Sequence, residues 1–427
     1  MISVFHNLKE LEGPRPPTIS FTLSPSHYIY ANTLRRLCIT AVENVAFAAD
    51  IREDGSTSDV KVLENSTPMT NEMLAHRIGL LPIIVTKPMD WDADKYEFVL
   101  DVTNESDTTK DVTASDIKVF EKVGEELVQR PSNLFFQPHP VTKQTSLIAV
   151  LKPLLPGGNP EKLHFTAKAT RGTGRENARW IPTGQCAYSN TLDKHPTNPK
   201  VGYNSEHAPQ KAVFESWLDR VKKIKVGEAG LEKEPEKLKS LIKEFETLEI
   251  NRCYLKDTNG EPYSFDFTVE TAGVLHPSYI VARACENGIA MCEKYAGESL
   301  PIDVVVQPAS GRISGWDFIF QKQDYTLGNC IQNWLDENLI GKGEITFAAP
   351  DVIPLRDELI FRIGCEDGSE ATARRALTAA MNGCVQMFRT WYNEWVNLAL
   401  KKQATQQVSA KAATGKLKII RRPTLKQ

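Results

Sequence analysis

A pattern that occurs twice constrains the fold of this chain more than any other feature. Phe21 and Phe318 each lie in a run of alternating apolar and polar residues, and Asn32 or Asn329 follows at the same distance, inside an apolar stripe with helical spacing. Strands repeat every two residues and helices about every 3.6, so chance rarely aligns both patterns. The sequence therefore predicts two related strand–helix units. Their equivalent residues are Ile19 and Trp316, Leu23 and Phe320, Leu34 and Ile331, Leu37 and Trp334, and Cys38 and Leu335.

Each unit precedes a longer helix with one broad apolar face. That face runs from Val281 to Tyr295 in the first half and from Leu377 to Trp395 in the second. Burial of apolar surface contributes roughly 25 cal/mol per Å², and obligate interfaces commonly bury about 2,000 Å² or more. We therefore expect the two faces to pack against each other within the chain.

The composition is that of an ordinary globular protein. At 427 residues the chain is long enough for two or three domains. Its net charge is −3, whereas an autonomous DNA-binding domain typically has an excess of basic residues. Neither a signal peptide nor a run of roughly 18 apolar residues is present. The eight cysteines include no CxxC pair, so we expect reduced, mostly buried thiols and no structural zinc. These features favour an intracellular protein with protein partners and no membrane contact.

Local signals mark several further elements. Thr70 is a candidate N-cap of a short helix that ends near Gly79 and Pro82. Residues 85–170 contain strand-like runs separated by turn residues, which predicts a β-rich insertion.

Two further segments, 214–249 and the tail, are rich in charged residues. Residues 214–249 are rich in Lys and Glu, which is typical of two solvated helices. A long helix is predicted at about 371–400. The tail that follows contains basic but no acidic residues, and we expect it to be disordered, although it could touch DNA, RNA or an acidic partner.

These residues resemble a known family. ANTLRRLCITAVENVAF followed by TNEMLAHRIGLLPI is similar to the paired signature of the third-largest subunit of eukaryotic RNA polymerase II and of the N-terminal domain of the bacterial α subunit. RGTGRENARWIP and FDFTVETAGVLHP resemble a loop and a strand of that same subunit. QDYTLGNCIQNWL and FAAPDVIPLRDELIFRIGC resemble the smaller, eleventh subunit. The overall pattern is similar to fused α-like subunits of large DNA viruses.

The resemblance implies an α+β fold with two RNA polymerase α-like dimerisation domains fused in one chain, the first interrupted by a β-rich insertion domain. The expected boundaries are 1–50 and 180–299 for the third-subunit-like domain, with a charged insertion at about 186–250, 51–179 for the insertion domain, 300–311 for a linker, 312–400 for the eleventh-subunit-like domain, and 401–427 for the tail.

The implied function is that of a non-catalytic assembly subunit. It would dock the two largest, catalytic subunits of a DNA-directed RNA polymerase and a small zinc-binding subunit, and it would meet DNA and RNA only indirectly through the complex. The expected location is the host cytoplasm and virion for a viral protein, or the nucleus for a cellular one.

The resemblance assigns the subunit interface to short stretches of both halves. In the first signature it implies Asn32, Leu34, Arg35 and Arg36, and the two arginines could pair carboxylates bidentately. The other implied interface residues are Glu72, His76, Arg77, Gly79, Pro82, Arg175, Trp180, Thr326, Leu327, Gly328 and Asn329. It implies no catalytic residue, metal ligand or cofactor. Many cellular third subunits have a cysteine cluster soon after the second motif, and residues 85–100 contain none.

Two patterns suggest other chemistry. Asp90, Asp92 and Asp94 alternate as carboxylates of cation sites do, but Lys95 replaces the glycine that a calcium loop needs, so we interpret the run as a solvated acidic loop. The RGTGR segment could bind phosphate through backbone amides, but it continues into neither a Walker sequence nor GxGxxG.

Glu72 and His76 lie one helical turn apart, which more often serves structure than acid–base chemistry. Two rival functions stay open: a nucleic-acid-processing enzyme that uses the aspartate run, and a nucleic-acid-binding adaptor that acts through the basic tail.

Overall fold

A computed structural model describes residues 3–11, 17–50, 59–192, 214, 217–222, 235–297, 299–310 and 314–416, with the backbone alone at 401–416. The α-helices are α1 Tyr28–Thr40, α2 Asn71–Gly79, α3 Pro235–Leu248, α4 Pro277–Glu293, α5 Tyr325–Asn338 and α6 Glu370–Lys416. The strands are β1 Phe5–Leu11, β2 Thr18–Leu23, β3 Glu43–Ala46, β4 Val60–Asn65, β5 Tyr96–Asn104, β6 Lys110–Thr113, β7 Lys118–Val123, β8 Glu126–Arg130, β9 Leu147–Leu151, β10 Glu161–Ala167, β11 Thr170–Thr173, β12 Thr183–Asn190, β13 Phe265–Thr271, β14 Val304–Pro308, β15 Gly315–Gln321, β16 Ile345–Ile353 and β17 Glu358–Cys365.

Helices pack beside antiparallel sheets, as in an α+β fold. The larger sheets have the strand orders β1-β2-β13-β12, β4-β10-β5-β7-β8 and β14-β15-β17-β16, and β3 pairs with β11 and β6 with β9. The registered pairs are antiparallel, for example β10 with β5 and β15 with β17. The α+β prediction is confirmed.

The chain divides into two compact units. One comprises Met1–Lys9, Ser20–Asn32 and Ala187–Thr268, and the other comprises Glu10–Ile19, Thr33–Cys186 and Val269–Gln427. In the first unit, the ring of Phe21 stacks on Phe267 with centroids 5.0 Å apart, and Phe5 meets Phe21 edge-on at 5.6 Å.

The first unit also contains a small helical core. Phe214 and Trp217 pack against Phe245 of α3, and all three side chains are buried. The prediction of two solvated helices at 214–249 is wrong here, because aromatic residues at separate positions among the charges meet in three dimensions. Of the charged insertion expected at about 186–250, residues 193–213, 215–216 and 223–234 lie outside the described residues.

The five-stranded sheet of the second unit encloses a core of its own. Alternate residues of β5 and β10, including Phe98, Leu100 and Phe165, point inward, and α2 contributes Leu74 and Ile78. The sheet confirms the β-rich prediction for 85–170.

The repeated sequence pattern corresponds to repeated elements. Strand β2 begins at Thr18 and α1 at Tyr28, while β15 begins at Gly315 and α5 at Tyr325, so strand and helix are equally spaced in both halves. The equivalent side chains Leu34 and Ile331 are both fully buried.

Helices α4 and α6 pack antiparallel in the second unit. Trp395 donates its indole N–H to the carbonyl oxygen of Ser278 at 2.9 Å, and Arg389 pairs with Glu293 at 2.8 Å. A Cβ atom at Gly288 would lie 2.8 Å from the ring of Phe388, so glycine permits the close approach. The predicted pairing of the two long helices is confirmed.

Two segments differ from their predictions. The expected linker at 300–311 contains β14, an edge strand that pairs with β15; its side chains are mostly half-exposed or exposed, so apolar alternation does not reveal it. Helix α6 continues to Lys416 instead of ending near residue 400, because 401–416 are mostly good helix formers such as Ala, Gln and Lys. The expected tail boundary at residue 401 therefore falls inside α6, and the disorder expected for 401–427 stays a prediction; residues 417–427 lie outside the described part of the chain.

Candidate subunit interface

Arg36 of α1 binds the first turn of α5. Its Nε donates to Oγ1 of Thr326 at 2.7 Å, and its Nη2 lies 2.8 Å from Oδ2 of Asp324. The first motif of one half therefore contacts the motif of the other half through two charge-assisted hydrogen bonds.

Asp324 is the N-cap of α5. Its Oδ1 accepts a hydrogen bond from the backbone N–H of Thr326 at 2.7 Å, which satisfies one free donor of the first helical turn. Burial favours a raised pKa for this carboxyl, but the hydrogen bonds from Thr326 and the charges of Arg36 and Arg175 outweigh it and lower the pKa. Asp324 is therefore held in its charged form.

The loop after β11 contacts the turn between β16 and β17. The guanidinium of Arg175 lies 3.5 Å from Oδ1 of Asp357, and the backbone N–H of Arg175 donates to the carbonyl oxygen of Thr40 at the end of α1. Asp357 has the left-handed φ of 50°, and its carbonyl oxygen accepts from the backbone N–H of Lys322. The turn places Leu355 in solvent with its side chain fully exposed.

We call this group the junction surface and define it by Arg36, Arg175, Asp324, Leu355 and Asp357. It gathers four segments that the sequence analysis treats as separate motifs: the first signature, the RGTGR loop, the Thr-Leu-Gly-Asn helix start and the Pro-Leu turn.

The other predicted interface residues on α1 and α5 are buried or half-buried. Leu34 and Leu327 are fully buried, and Asn32, Arg35 and Asn329 are half-buried. A Cβ atom at Gly328 would lie 2.6 Å from the side chain of Pro350, so its glycine allows α5 to lie close to β16.

Trp180 packs against β11, which contains the start of the RGTGR loop. Its indole N–H donates to the carbonyl oxygen of Thr170 at 3.1 Å, and its buried ring lies over Gly172. The neighbouring Arg179 pairs with Asp50 at 2.7 Å. These contacts tie the loop to the chain that follows β3.

One face of helix α2 lies in the core of the five-stranded sheet. Thr70 caps it by accepting from the backbone N–H of Met73, as predicted. Gly79 is buried beside the carbonyl oxygen of Phe47, and Arg77 donates to the carbonyl oxygens of Leu147 and Ile148 at 3.0 Å. The second motif is thus anchored to β9 rather than to the junction surface.

The outward face of α2 is exposed. Met73, His76 and Leu80 lie on it, and Glu72 is exposed at its first turn. Hydrogen bonds from its own backbone N–H and from Thr70 lower the pKa of Glu72. Pro82, beyond the helix, lines a cavity of about 700 Å³ that is also bordered by Phe136 and by residues 271–276.

Sequence reasoning missed a polar network on α4. Arg283 binds Glu43 of β3 through two hydrogen bonds of 2.9 Å and Glu286 through one of 2.8 Å, and Asn287 donates to the carbonyl oxygen of Ala41. Burial favours a raised pKa for Glu43, but the hydrogen bonds from Arg283 and Asn287 outweigh it and lower the pKa. The contacts of Arg283 with Glu43 and of Asn287 with Ala41 join residues more than 200 positions apart, so the sequence carries no local signal of them.

The acidic run has separate partners. Asp92 accepts from the backbone N–H of Asp94, and Asp94 pairs with Lys168 at 2.8 Å. Among the residues that the structure describes, no three His, Cys, Asp or Glu side chains are arranged to hold a metal ion. No helix in the described ranges is long and apolar enough to span a membrane.

The comparisons with known proteins agree on one family. The family model of the RNA polymerase Rpb3/Rpb11 dimerisation domain matches residues 20–292, more than half of the chain. DNA-directed RNA polymerase subunit Rpo3 of Methanobrevibacter smithii is 24% identical over 65% of this chain and 93% of its own length. The same subunit of Pyrococcus furiosus is 28% identical over 66% of this chain and 92% of its own length.

A third relative matches less completely. The conjugation stage-specific protein of Tetrahymena thermophila is 25% identical over 38% of this chain, which spans about half, 52%, of that relative's length. The match to the family model includes α1, the β-rich region and nearly all of α4. The chain belongs to the RNA polymerase Rpb3/Rpb11 dimerisation-domain family.

Proposed function

We propose that the chain is a non-catalytic assembly subunit of a DNA-directed RNA polymerase, in which two α-like dimerisation domains form one polypeptide. The contact of Arg36 with Asp324 and Thr326 carries this proposal, because it joins the two family motifs. The equal spacing of β2–α1 and β15–α5 and the packing of α4 on α6 support it.

The proposed domain boundaries remain those expected from the sequence, with β14 added to the second dimerisation domain. Fusion in one chain gives the two halves an effective concentration in the mM range or above, which removes a bimolecular step from assembly. Fused subunits of this kind resemble those of large DNA viruses, and the proposed location is the host cytoplasm and virion, or the nucleus for a cellular protein.

The junction surface is the proposed docking site for the two largest subunits. Leu355 is fully exposed and Tyr325 is 45% exposed, and both adjoin the ion pairs of Asp324 and Asp357. Exposed apolar side chains within a polar frame are typical anchors of protein interfaces. The exposed face of α2, with Met73 and Leu80, is a second proposed contact. A small zinc-binding subunit completes the proposed set of partners.

Leu355→Asp tests this docking site. The variant is purified from cells that contain the polymerase, and the catalytic subunits that accompany it are measured by quantitative mass spectrometry. We expect at least a tenfold loss of both catalytic subunits with an unchanged melting temperature, because the native side chain is fully exposed.

Leu155→Asp is the matched control, since Leu155 is 69% exposed in a loop of the insertion region. It should retain both catalytic subunits. Equal recovery with the two variants would remove the junction surface from the interface, and the complete absence of polymerase subunits from the parent preparation would reject the assembly function.

A further inference from the structure

The second compact unit contains a cavity that the proposed function does not use. Its volume is about 700 Å³, and all of its lining residues belong to this unit. Pro82 of the second motif lines it, together with residues of the loop 136–146 and of the segment 271–276 that leads into α4. Small-molecule sites commonly have volumes of roughly 300–1,000 Å³. The cavity is therefore large enough to hold a small ligand.

The lining of the cavity is uncharged. Of the 21 described residues that border it, none is Asp, Glu, Lys or Arg. Phe136, Val274 and Leu275 are buried members of the lining and supply apolar surface. An ion that entered would lose hydration without gaining an opposite charge, which is costly. The lining therefore favours an uncharged ligand with an apolar body.

The segment that leads into α4 supplies free backbone donors. The chain turns at Gly273, whose left-handed φ of 91° favours glycine. Beyond this turn, the backbone N–H groups of Val274 and Leu275 donate no hydrogen bond within the described part of the chain. Both residues border the cavity and are only 5% exposed. Because buried backbone donors are nearly always paired in folded proteins, these two groups are suited to an acceptor on a ligand.

Two histidines that line the cavity add donors of known orientation. Nδ1 of His276 accepts from the backbone N–H of Ser278 at 3.2 Å. Nδ1 of His139 accepts from the backbone N–H groups of Val141 and Thr142, each at 3.3 Å. A neutral imidazole has one acceptor and one donor nitrogen, so Nε2 is the donor in both rings. The cavity thus combines apolar surface with uncharged donors.

We propose that this cavity binds a small uncharged molecule that has an apolar body and a carbonyl-type hydrogen-bond acceptor. This activity is additional to assembly of the polymerase. The apolar side chains remove the body of the ligand from water, and the free N–H groups donate to its acceptor. A ligand without the acceptor binds less well, because it leaves the donors unpaired in a filled cavity.

The test uses the full-length chain and a fluorescent probe of this chemical class. The probe is prodan, an uncharged naphthalene with a ketone, whose emission shifts to shorter wavelength in apolar surroundings. Two competitors separate the contributions. One is the propyl analogue of prodan, in which a CH₂ group replaces the carbonyl. The other is anilinonaphthalene sulfonate, an anion built on the same ring system.

Two substitutions fill the cavity from separate segments. Ala272→Trp and Thr86→Trp each place an indole at an exposed position of the lining. The matched control is Ala371→Trp, because Ala371 is exposed in the first turn of α6 and does not line the cavity. Circular dichroism melts check that the three variants are folded.

We expect the parent to bind prodan with a Kd of roughly 10⁻⁵ to 10⁻⁴ M, as is typical for a ligand with this number of atoms. Each filling variant should lose about tenfold or more in affinity, whereas the control should stay within about twofold of the parent, because only the former occupy the space of the ligand. The propyl analogue should bind about fivefold more weakly than prodan, since it accepts no hydrogen bond. The sulfonate should bind more weakly still, because no lining side chain among the described residues is a cation.

Four results would overturn the proposal. The first is the absence of saturable prodan binding by the parent, and the second is equal binding by the parent and both filling variants. The third is equal or tighter binding of the propyl analogue, which would indicate apolar contact alone. The fourth is tighter binding of the sulfonate than of prodan, which would indicate an anion site. None of these outcomes depends on recovery of the catalytic subunits.

Discussion

Asp324 combines two contacts that substitutions can separate. Asn is as good an N-cap as Asp but cannot form the ion pair with Arg36, whereas Ala removes both contacts. We predict that Asp324→Ala lowers the free energy of unfolding by about 1 kcal/mol more than Asp324→Asn. Asp324→Asn itself should cost no more than about 1 kcal/mol, because the ion pair is partly exposed. Urea unfolding measures both, and equal losses would show that the cap contributes little.

Glu43 should make stability depend on pH. Its folded pKa lies below the ordinary value, so its contribution is fully present above the unfolded pKa and is lost as the pH falls through the folded pKa. We predict that Glu43→Gln costs about 2 kcal/mol at pH 7 and that its difference from the parent shrinks below about pH 4. Thermal melts across this range test it, and a difference independent of pH would contradict the assignment.

The sequence predicted several residues of the key contacts but not how they pair. Arg36, Arg175 and Thr326 were identified through their motifs, whereas Asp357 and Glu43 have no local pattern. Ion pairs such as that of Arg36 with Asp324 join residues that are distant in the chain, so only the tertiary fold defines them. Asp324 did have a signal, since an aspartate directly before a helix is a common N-cap.

The contact of α4 with α6 depends on one small residue. Gly288→Ala should gain about 1 kcal/mol in helix propensity but place a methyl group 2.8 Å from the ring of Phe388. We predict a net loss of about 1–2 kcal/mol, because overpacking in a buried contact usually costs more than the propensity gain. The denaturant midpoint should fall with an unchanged m-value.

A double variant separates packing from helix propensity. Phe388→Leu removes part of the ring that the new methyl group would meet, so Gly288→Ala combined with Phe388→Leu should cost less than the sum of the two single changes. Strict additivity would show that the close approach of the two helices has no energetic effect.

Elements with long periodic patterns were predictable, and short edge elements were not. The sequence indicated α1, α4, α5 and β15 within a few residues, because their apolar faces are buried and regular. Strand β14 has mostly exposed side chains and so lacks the alternation that marks a half-buried strand.

Equivalent positions in the two halves should respond alike. Leu34 and Ile331 occupy the same place in the two strand–helix units, and both are fully buried. We predict that Leu34→Asp and Ile331→Asp each cost more than about 3 kcal/mol, since each buries an unpaired charge, and that both reduce recovery of the large subunits.

A surface substitution provides the comparison. Leu127→Asp in β8 introduces the same charge at a side chain that is 60% exposed, and it should melt within a few degrees of the parent. Normal melting and normal co-purification of the Leu34 and Ile331 variants would contradict a shared structural role for the two units.

At the scale of the whole molecule, the family resemblance implied the α+β fold, and the apolar faces predicted the pairing of the long helices. They could not place the aromatic core around Phe245, because its residues are dispersed among charges in the sequence. The number of fused domains stays a prediction, since the family model matches 20–292 and leaves the second half to the internal repeat.

All eight cysteines are buried and none forms a disulfide, so an alkylating reagent can reach them only when the protein opens. Burial raises the pKa of the Cys285 thiol, which slows its reaction further. Cys253 would report opening of the small aromatic core, and Cys330 and Cys384, whose sulfur atoms lie 3.6 Å apart, would report separation of α5 from α6. The order in which the thiols become labelled would therefore reveal the order in which the molecule comes apart, without any engineered probe.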